Sequence, residues 1–489
     1  MEVINTPALL LGSGIVAGVT AFLFSRKDKR QRKRRLSFTS AGLGIGSFPP
    51  EANVREPIIN VAVYFDELPS RTNVETRIVD PLLAYERMSH VPDLDRRVCR
   101  RSSHGDVSAG QLVRDVEISG DEALLNQTIV DHCPDPLSCG RDDLPWWEIL
   151  IIRNTAEGQP SACVVRIHHV IGDGLALVSA FNKLLTNVDD EPLASSRSLF
   201  NSSAAKKSTR KRGLLSNVFS LIGATVHCLT LSATKYDDDT VFSKMNHSRM
   251  KHCGKREAVI FPTVPLQFIK DLKQAAGVTV NDVLMAAVSH AIYAYCKLQK
   301  DSVLEAKKSA IQCRALLPVG FPRDQNELGD TSTAMKNLWC MVSCDMGVGK
   351  SNIRERIEFI RSKTREMKEK PRAFMQLTIQ NSLGPFIPLS VGQKTVFDTF
   401  SRHSLVLTNV PGPAEPCRFA GARVKSVQLF FDNLLTQVDL LSYSGKIYGN
   451  IIYDANELPD AAVFGKLYLE GLIELAEEFS VELPPELRE

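Results

Sequence analysis

The stretch "RIHHVIGDGLAL", residues 166–177, sets His168 beside His169 and follows them with Asp173 and Gly174 in an otherwise largely apolar run. Two imidazoles and a carboxylate so close together suit several kinds of chemistry. A neutral imidazole can take a proton from a hydroxyl near pH 7. An aspartate beside it can orient that base, as in a triad. A histidine pair can also be half of a zinc site, but zinc needs three or four ligands. The other candidate cluster, "HSRMKHC" at 247–253, has no feature that brings it to His168, so no metal is expected. Adjacent histidines on a strand also serve packing alone. No serine sits in a GxSxG elbow, so a covalent serine intermediate is not indicated.

The surrounding elements decide what these groups can reach. "SACVVRIHH" reads as a strand whose alternation puts Val165, Ile167 and His169 on one face and Val164, Arg166 and His168 on the other. Gly172 and Gly174 break it, and "LALVSAFNKLL", 175–185, has helical spacing. The histidines therefore stand where a strand turns into a helix, a rigid yet open place common for catalytic groups. Other apolar runs of strand length are "IINVAVYF" at 58–65 and "WWEILII" at 146–152. A second block carries "EAVIFPTV", "CRALLPVGF", "HSLVLTNVPGP" and a hairpin, "VDLLSYSGKIYGNIIYDAN", turning near Ser444-Gly445. Between its strands lie helices, among them "VTVNDVLMAAVSHAIYAYCKL", where Asn281 reads as an N-cap. Strands and helices mingle throughout, so the fold class is α/β or α+β in two layered units.

Length and charge bound the rest. At 489 residues the chain exceeds one ordinary core. "RKDKRQRKRR", 26–35, carries +7 of a total of +3, leaving the remainder at −4, which argues against a nucleic-acid partner. The eleven cysteines are scattered without a CxxC pair and read as reduced thiols. "PALLLGSGIVAGVTAFLF", 7–24, is uncharged and long enough to span a bilayer, with the basic run directly after it. This predicts a transmembrane anchor with a cytosolic body rather than a cleaved secretory signal, whose positive charge precedes the apolar run. The organisation expected is an anchor with its basic flank (1–35), a linker (36–56), a first unit (57–190), a crossover (191–254) and a second unit (255–489). Within the crossover, 214–231 is open to two readings, a helix on the membrane surface or an ordinary core helix.

The motif "HHVIGDG" resembles the HHxxxDG signature of CoA-dependent acyltransferases. "LPWWE", "VTVNDVLMAAVSHAI", "RALLPVGF", "LTNVPGP", "FAGARV" and "LSYSGKIYGNIIYDANELPD" follow in the order found in the bifunctional wax ester synthase/diacylglycerol acyltransferase family, from about residue 56 onward. Three details depart: the usual Pro-Leu-Trp-Glu is Pro145-Trp146-Trp147-Glu148, a serine is Thr408, and Pro-Val-Ser-x-Arg becomes Pro318 to Pro322 with the arginine displaced to Arg323, to which no role is given. The resemblance implies two chloramphenicol-acetyltransferase-like subdomains with the active site at their interface. It also implies acyl-CoA and a fatty alcohol or diacylglycerol as substrates, with no further cofactor, and wax ester or triacylglycerol as product. The endoplasmic reticulum is the membrane expected for such an anchored enzyme.

By this resemblance His169 is the general base and His168 serves packing or orientation. Asp173 is either an orienter of His169 or, as in related enzymes, the partner of an arginine that holds the loop. Gly174 is expected to permit tight packing at the turn, and Pro145, Trp147 and Glu148 to be structural. Asn281 is a candidate oxyanion donor as well as a cap, with Asp282, Thr408, Asn409, Pro411 and Gly412 shaping the site. The alternative function is a silent, membrane-tethered protein that binds acyl-CoA or lipid.

Overall fold

The computed structural model describes residues 36–44, 56–138, 143–193, 223, 230–243, 252–321, 323 and 325–488. The predicted anchor (7–24), its basic flank and nearly all of 214–231 lie outside them. Among the described residues no single helix is long and apolar enough to cross a membrane.

Two mixed sheets organise the chain. The strands used below are β1 (Ile58–Phe65), β2 (Val113–Ile118), β3 (Trp147–Asn154), β4 (Ser161–His168), β5 (Arg256–Ile260), β6 (Val264–Pro265), β7 (Arg314–Gly320), β8 (Trp339–Asp345), β9 (Leu405–Pro411), β10 (Ser426–Phe431), β11 (Gln437–Tyr443) and β12 (Lys446–Asp454). The first sheet runs β10-β1-β4-β3-β2, antiparallel except for the β2–β3 pair. The second runs β8-β7-β9-β11-β12-β5, with β6 beside β12; the β7–β9 and β9–β11 pairs are parallel. The mixture of strands and helices expected from the sequence is present. The division into a first and a second block is not kept by the sheets, because β10 comes from the second block and closes the first sheet against β1.

Alternation explains what each face does. On the first sheet Ile59, Val61 and Val63 of β1, Val165 and Ile167 of β4, and Val427, Leu429 and Phe431 of β10 all point into one large cavity. Their neighbours Ala62, Tyr64, Val164 and Phe430 pack on the opposite face with Leu125 and Ile129 of helix α2 (Glu122–His132). The second sheet lines the same cavity with Leu317 of β7, Leu407 of β9 and Leu440 of β11. Its helical layer includes α5 (Val280–Leu298) and α9 (Phe464–Glu478), which share one buried core.

The segment expected to be a linker contains a helix, α1 (Phe38–Gly44). Leu36, Ser40 and Ala41 are buried, and Leu36 N–H donates to the Arg97 carbonyl at 2.8 Å. A serine- and glycine-rich composition resembled a tether, but small residues also let a helix lie close against a body. The predicted helix at 175–185 is shorter and earlier, running as α3 over Gly174–Phe181.

Candidate active site

β4 is buried along its whole length, and its last hydrogen-bonded residues deliver the histidine pair to the cavity wall. His168 N–H donates to the Trp146 carbonyl at 2.9 Å and His169 N–H to the Pro57 carbonyl at 2.8 Å, so both backbones are fixed. The two rings then face opposite ways, as alternation requires. His168 is fully buried. Its Nδ1 accepts from Val170 N–H at 3.1 Å, and its ring meets Trp146 edge-on at 4.9 Å. Burial holds its pKa down at about 3, so it stays neutral near pH 7, and unlike His169 it does not border the cavity.

His169 borders the cavity. Its Nδ1 lies 3.0 Å from Oδ1 of Asn337. The amide's orientation is set by its other end, where Nδ2 donates to the His169 carbonyl at 2.7 Å, to Ser40 Oγ at 3.0 Å and to the Val170 carbonyl at 3.3 Å. Oδ1 is therefore the acceptor, also taking Trp339 Nε1–H at 3.2 Å. The proton of neutral His169 then sits on Nδ1 and the lone pair on Nε2. Trp339 and Phe431 pack against the ring at 5.3 and 5.9 Å. Burial lowers the His169 pKa, with its own carbonyl, Asp173 and Asn337 acting in the opposite sense.

Asp173 does not orient His169. One carboxylate oxygen accepts Ala176 N–H at 3.0 Å and caps α3; the other accepts Leu338 N–H at 2.7 Å and pairs with Arg323. The arginine left without a role is thus its partner, and both side chains are buried. The same guanidinium donates to the Ala334 and Lys336 carbonyls at 3.1 and 2.8 Å, tying the loop after His169 to the segment before β8 that carries Asn337. A second buried arginine, Arg87, donates to the Val170 and Ile171 carbonyls at 3.2 and 3.3 Å.

Gly174 does not serve close packing: a Cβ there would meet nothing within 4 Å. Gly412, also on the cavity wall, does: a Cβ there would come within 2.5 Å of the Ser442 carbonyl oxygen. Pro145, Trp147 and Glu148 lie outside the cavity wall. The Pro145 carbonyl accepts Trp147 N–H at 2.8 Å, Trp147 Nε1–H donates to the Met88 carbonyl at 2.7 Å, and Glu148 takes Arg166 at 2.5 Å and Arg114 at 3.0 Å. This absorbs the charge of Arg166, which faces away from the cavity beside His168.

The cap of α5 is Thr279 rather than Asn281. Thr279 and Asp282 form a reciprocal capping box, and Thr364 donates to the other Asp282 oxygen at 2.7 Å. Asp282 is buried and committed to these bonds, so it is no oxyanion donor. That releases Asn281, whose Oδ1 accepts Asn409 Nδ2–H at 2.6 Å. The amide pair joins α5 to β9, and Asn281, Thr408, Asn409, Pro411 and Gly412 all border the cavity. The cavity measures about 1350 Å³ and reaches from His169 to α7 (Arg372–Ser382) and α8 (Leu389–Phe400). Among the described residues no group of three or more His, Cys, Asp or Glu is placed to hold a metal ion. Of "HSRMKHC", His247 lies outside the described residues and His252 is buried beside Arg256 and Glu457.

Sequence reasoning missed Asn337, Trp339, Phe431 and Arg323. Each is distant in sequence from His169, and no local pattern marks it.

Two family models match this chain. The wax ester synthase/diacylglycerol acyltransferase catalytic domain matches residues 135–284, and the family's C-terminal domain matches 336–476. A probable diacylglycerol O-acyltransferase of Mycobacterium tuberculosis is 26% identical over 360 residues, covering 70% of this chain and 73% of that protein. The O-acyltransferase WSD of Acinetobacter baylyi is 25% identical over 342 residues, covering 64% and 70%. The solved structure of a wax ester synthase/diacylglycerol acyltransferase from Marinobacter aquaeolei superposes with a TM-score of 0.54 at 19% identity, covering 86% of this chain and 95% of that one, which shows the shared mixed α/β fold. The chain belongs to the wax ester synthase/diacylglycerol acyltransferase family and is an O-acyltransferase.

Proposed function

We propose that this enzyme transfers a long-chain acyl group from coenzyme A to the hydroxyl of a fatty alcohol or diacylglycerol, giving wax ester or triacylglycerol. The observation that carries the reading is His169 on the wall of an apolar cavity of about 1350 Å³, above the roughly 300–1,000 Å³ of ordinary ligand pockets. Such a volume suits two long chains meeting end to end.

The chemistry follows from the ring's protonation. Nε2 of His169 takes the alcohol proton as the oxygen attacks the thioester carbonyl. The tetrahedral oxyanion needs a donor, and Asn281 Nδ2 is the candidate, with Oδ1 held by Asn409. Collapse expels the CoA thiolate, which takes the proton back from His169. Each turnover thus returns the ring to neutral, and no covalent acyl-enzyme forms. Residues 7–24 and the basic run after them are read as a membrane anchor with the body in the cytosol, the endoplasmic reticulum being the expected host.

The test is purified full-length protein given labelled palmitoyl-CoA with hexadecanol or dioleoylglycerol. Formation of labelled ester is expected; binding of palmitoyl-CoA with no ester from either acceptor would favour the silent lipid-binding reading. Anchoring is tested separately. Deletion of residues 1–35 should release the protein from membranes in a high-salt wash, and equal retention would remove the anchor.

Because burial holds the His169 pKa below the ordinary imidazole value, the base stays neutral until the pH falls below about 6.5. The acid limb of kcat/KM is expected below that value, and a limb at or above it would contradict the assignment. Asn337→Ala removes the acceptor that fixes the tautomer. It should lower kcat by roughly tenfold or more with KM nearly unchanged, and move the acid limb, while the protein stays folded by circular dichroism. A loss confined to stability would make Asn337 structural only.

A further inference from the structure

α1, Phe38–Gly44, precedes every residue that the family models match, the first of which is at 135. It nevertheless reaches the centre of the site. It packs on α7, α8 and the short turn of 3-10 helix between them, Gly384–Phe386. Its Thr39, Gly42 and Leu43 border the cavity, as does Pro57 just before β1. Ser40 is fully buried, and so is its neighbour Ala41. An alanine at 40 would fill such a place without the cost of burying a hydroxyl. A buried serine is therefore explained by its hydrogen bonds. Its Oγ accepts Asn337 Nδ2–H at 3.0 Å and Arg87 Nη1–H at 3.2 Å, and Ser37 Oγ lies 3.0 Å away. Asn337 holds Nδ1 of His169, and Arg87 holds the Val170 and Ile171 carbonyls that follow it. One hydroxyl joins the group that fixes the ring to a group that fixes its loop.

We propose that α1 is part of the acyl-transfer site and that Ser40 is a positioning residue for His169, acting through Asn337. An amide NH2 group has two protons to place. The nearest acceptors of Asn337 Nδ2 are the His169 carbonyl at 2.7 Å and Ser40 Oγ at 3.0 Å, with the Val170 carbonyl farther off at 3.3 Å. The two near bonds together set the plane of the amide. Without the Ser40 hydroxyl the second proton turns to Val170, the amide tilts, and Oδ1 moves off the Nδ1–H that it holds. His169 then loses the tautomer that keeps its lone pair on Nε2, while the cavity that takes the substrates keeps its shape. The effect therefore falls on kcat and not on KM. This inference rests on the reading of His169 as the base, and the test keeps the two apart.

Full-length Ser40→Ala, given labelled palmitoyl-CoA and hexadecanol, should show kcat lowered by about fivefold, the rate equivalent of one hydrogen bond, with both KM values within about twofold of the parent's. Its acid limb should move in the same direction as that of Asn337→Ala. A parent kcat per folded molecule, with the folded fraction taken from circular dichroism and urea unfolding, overturns the proposal. Ser40→Cys keeps the space filled but offers only a weak acceptor, so it should lose about as much, and it decides the matter where Ser40→Ala fails to fold. Ser40→Cys at the parent rate would mean that packing alone counts, which also overturns it. Ser40→Ala added to Asn337→Ala should cost less than about a further twofold, because both changes break one path; a further loss of about fivefold makes the two residues independent and overturns the role through Asn337. Unaffected Ser40 variants of an active parent remove only the role of Ser40. If the unsubstituted protein makes no ester, the acyl-transfer reading fails and the positioning role falls with it.

Discussion

His169→Ala is expected to lower ester formation by about 10²–10⁴-fold, the usual weight of a positioned general base. The protein should remain folded, because the ring borders a cavity rather than filling a core. Removing the side chain leaves Asn337 Oδ1 with Trp339 Nε1–H at 3.2 Å, so the amide keeps a donor. Its Nδ2 keeps the backbone carbonyls of 169 and 170. The loss should appear in kcat with both substrates saturating. His168→Ala is the informative contrast. It opens a hole beside Trp146 on the other face, so its effect should be a lowered urea midpoint with far less change in kcat per folded molecule. Ester formation by His169→Ala at the parent rate would end the base assignment.

Asp173→Ala is expected to cost about 3–5 kcal/mol of stability, the range found when one member of a buried ion pair is removed. The side chains of Asp173 and Arg323 are 6% and 2% exposed, so solvent offers the stranded guanidinium no relief. The same change removes the cap of α3 and the acceptor of Leu338 N–H. Asp173→Asn should be milder, since an amide oxygen still accepts one of those bonds. Equilibrium unfolding in urea gives the stability; the rate on the folded fraction gives the chemistry. A triad orienter would behave the other way, with a fall near 10⁴-fold in rate at unchanged stability.

The contrast between these residues shows which kinds of information a linear sequence holds. The facing of His169 was legible, because the two-residue period of a strand carries Val165, Ile167 and His169 to one side wherever the strand lies. The strands at 314–320 and 405–411 and the hairpin at Ser444-Gly445 were legible for the same local reason, and both turn residues have positive φ, 47° and 74°. The capping box was legible too, yet Asn281 was read as the cap although Thr279 stands three residues before Asp282. The partners of the site were not legible. Asn337 lies 168 residues beyond His169, and Arg323 lies 150 beyond Asp173. Both meet their partners because two sheets close around one cavity, which no local period encodes. Arg323 was further hidden by its displacement past Pro322. The strand "SVQLFF" went unread as part of the first sheet, since its neighbour β1 is some 370 residues away.

That strand has a consequence for how the protein comes into being. β10 pairs with β1, Ile59 opposite Phe431, and six residues later the chain enters β11. During synthesis the amino-terminal half therefore leaves the ribosome with the β1 edge bare until residue 431 has been translated and has cleared the exit tunnel. An unpaired edge flanked by apolar side chains invites wrong partners, and closure over so long a loop is slow. Nascent chains halted before residue 426 should bind holdase chaperones and be cut readily by protease, whereas chains released at full length should not.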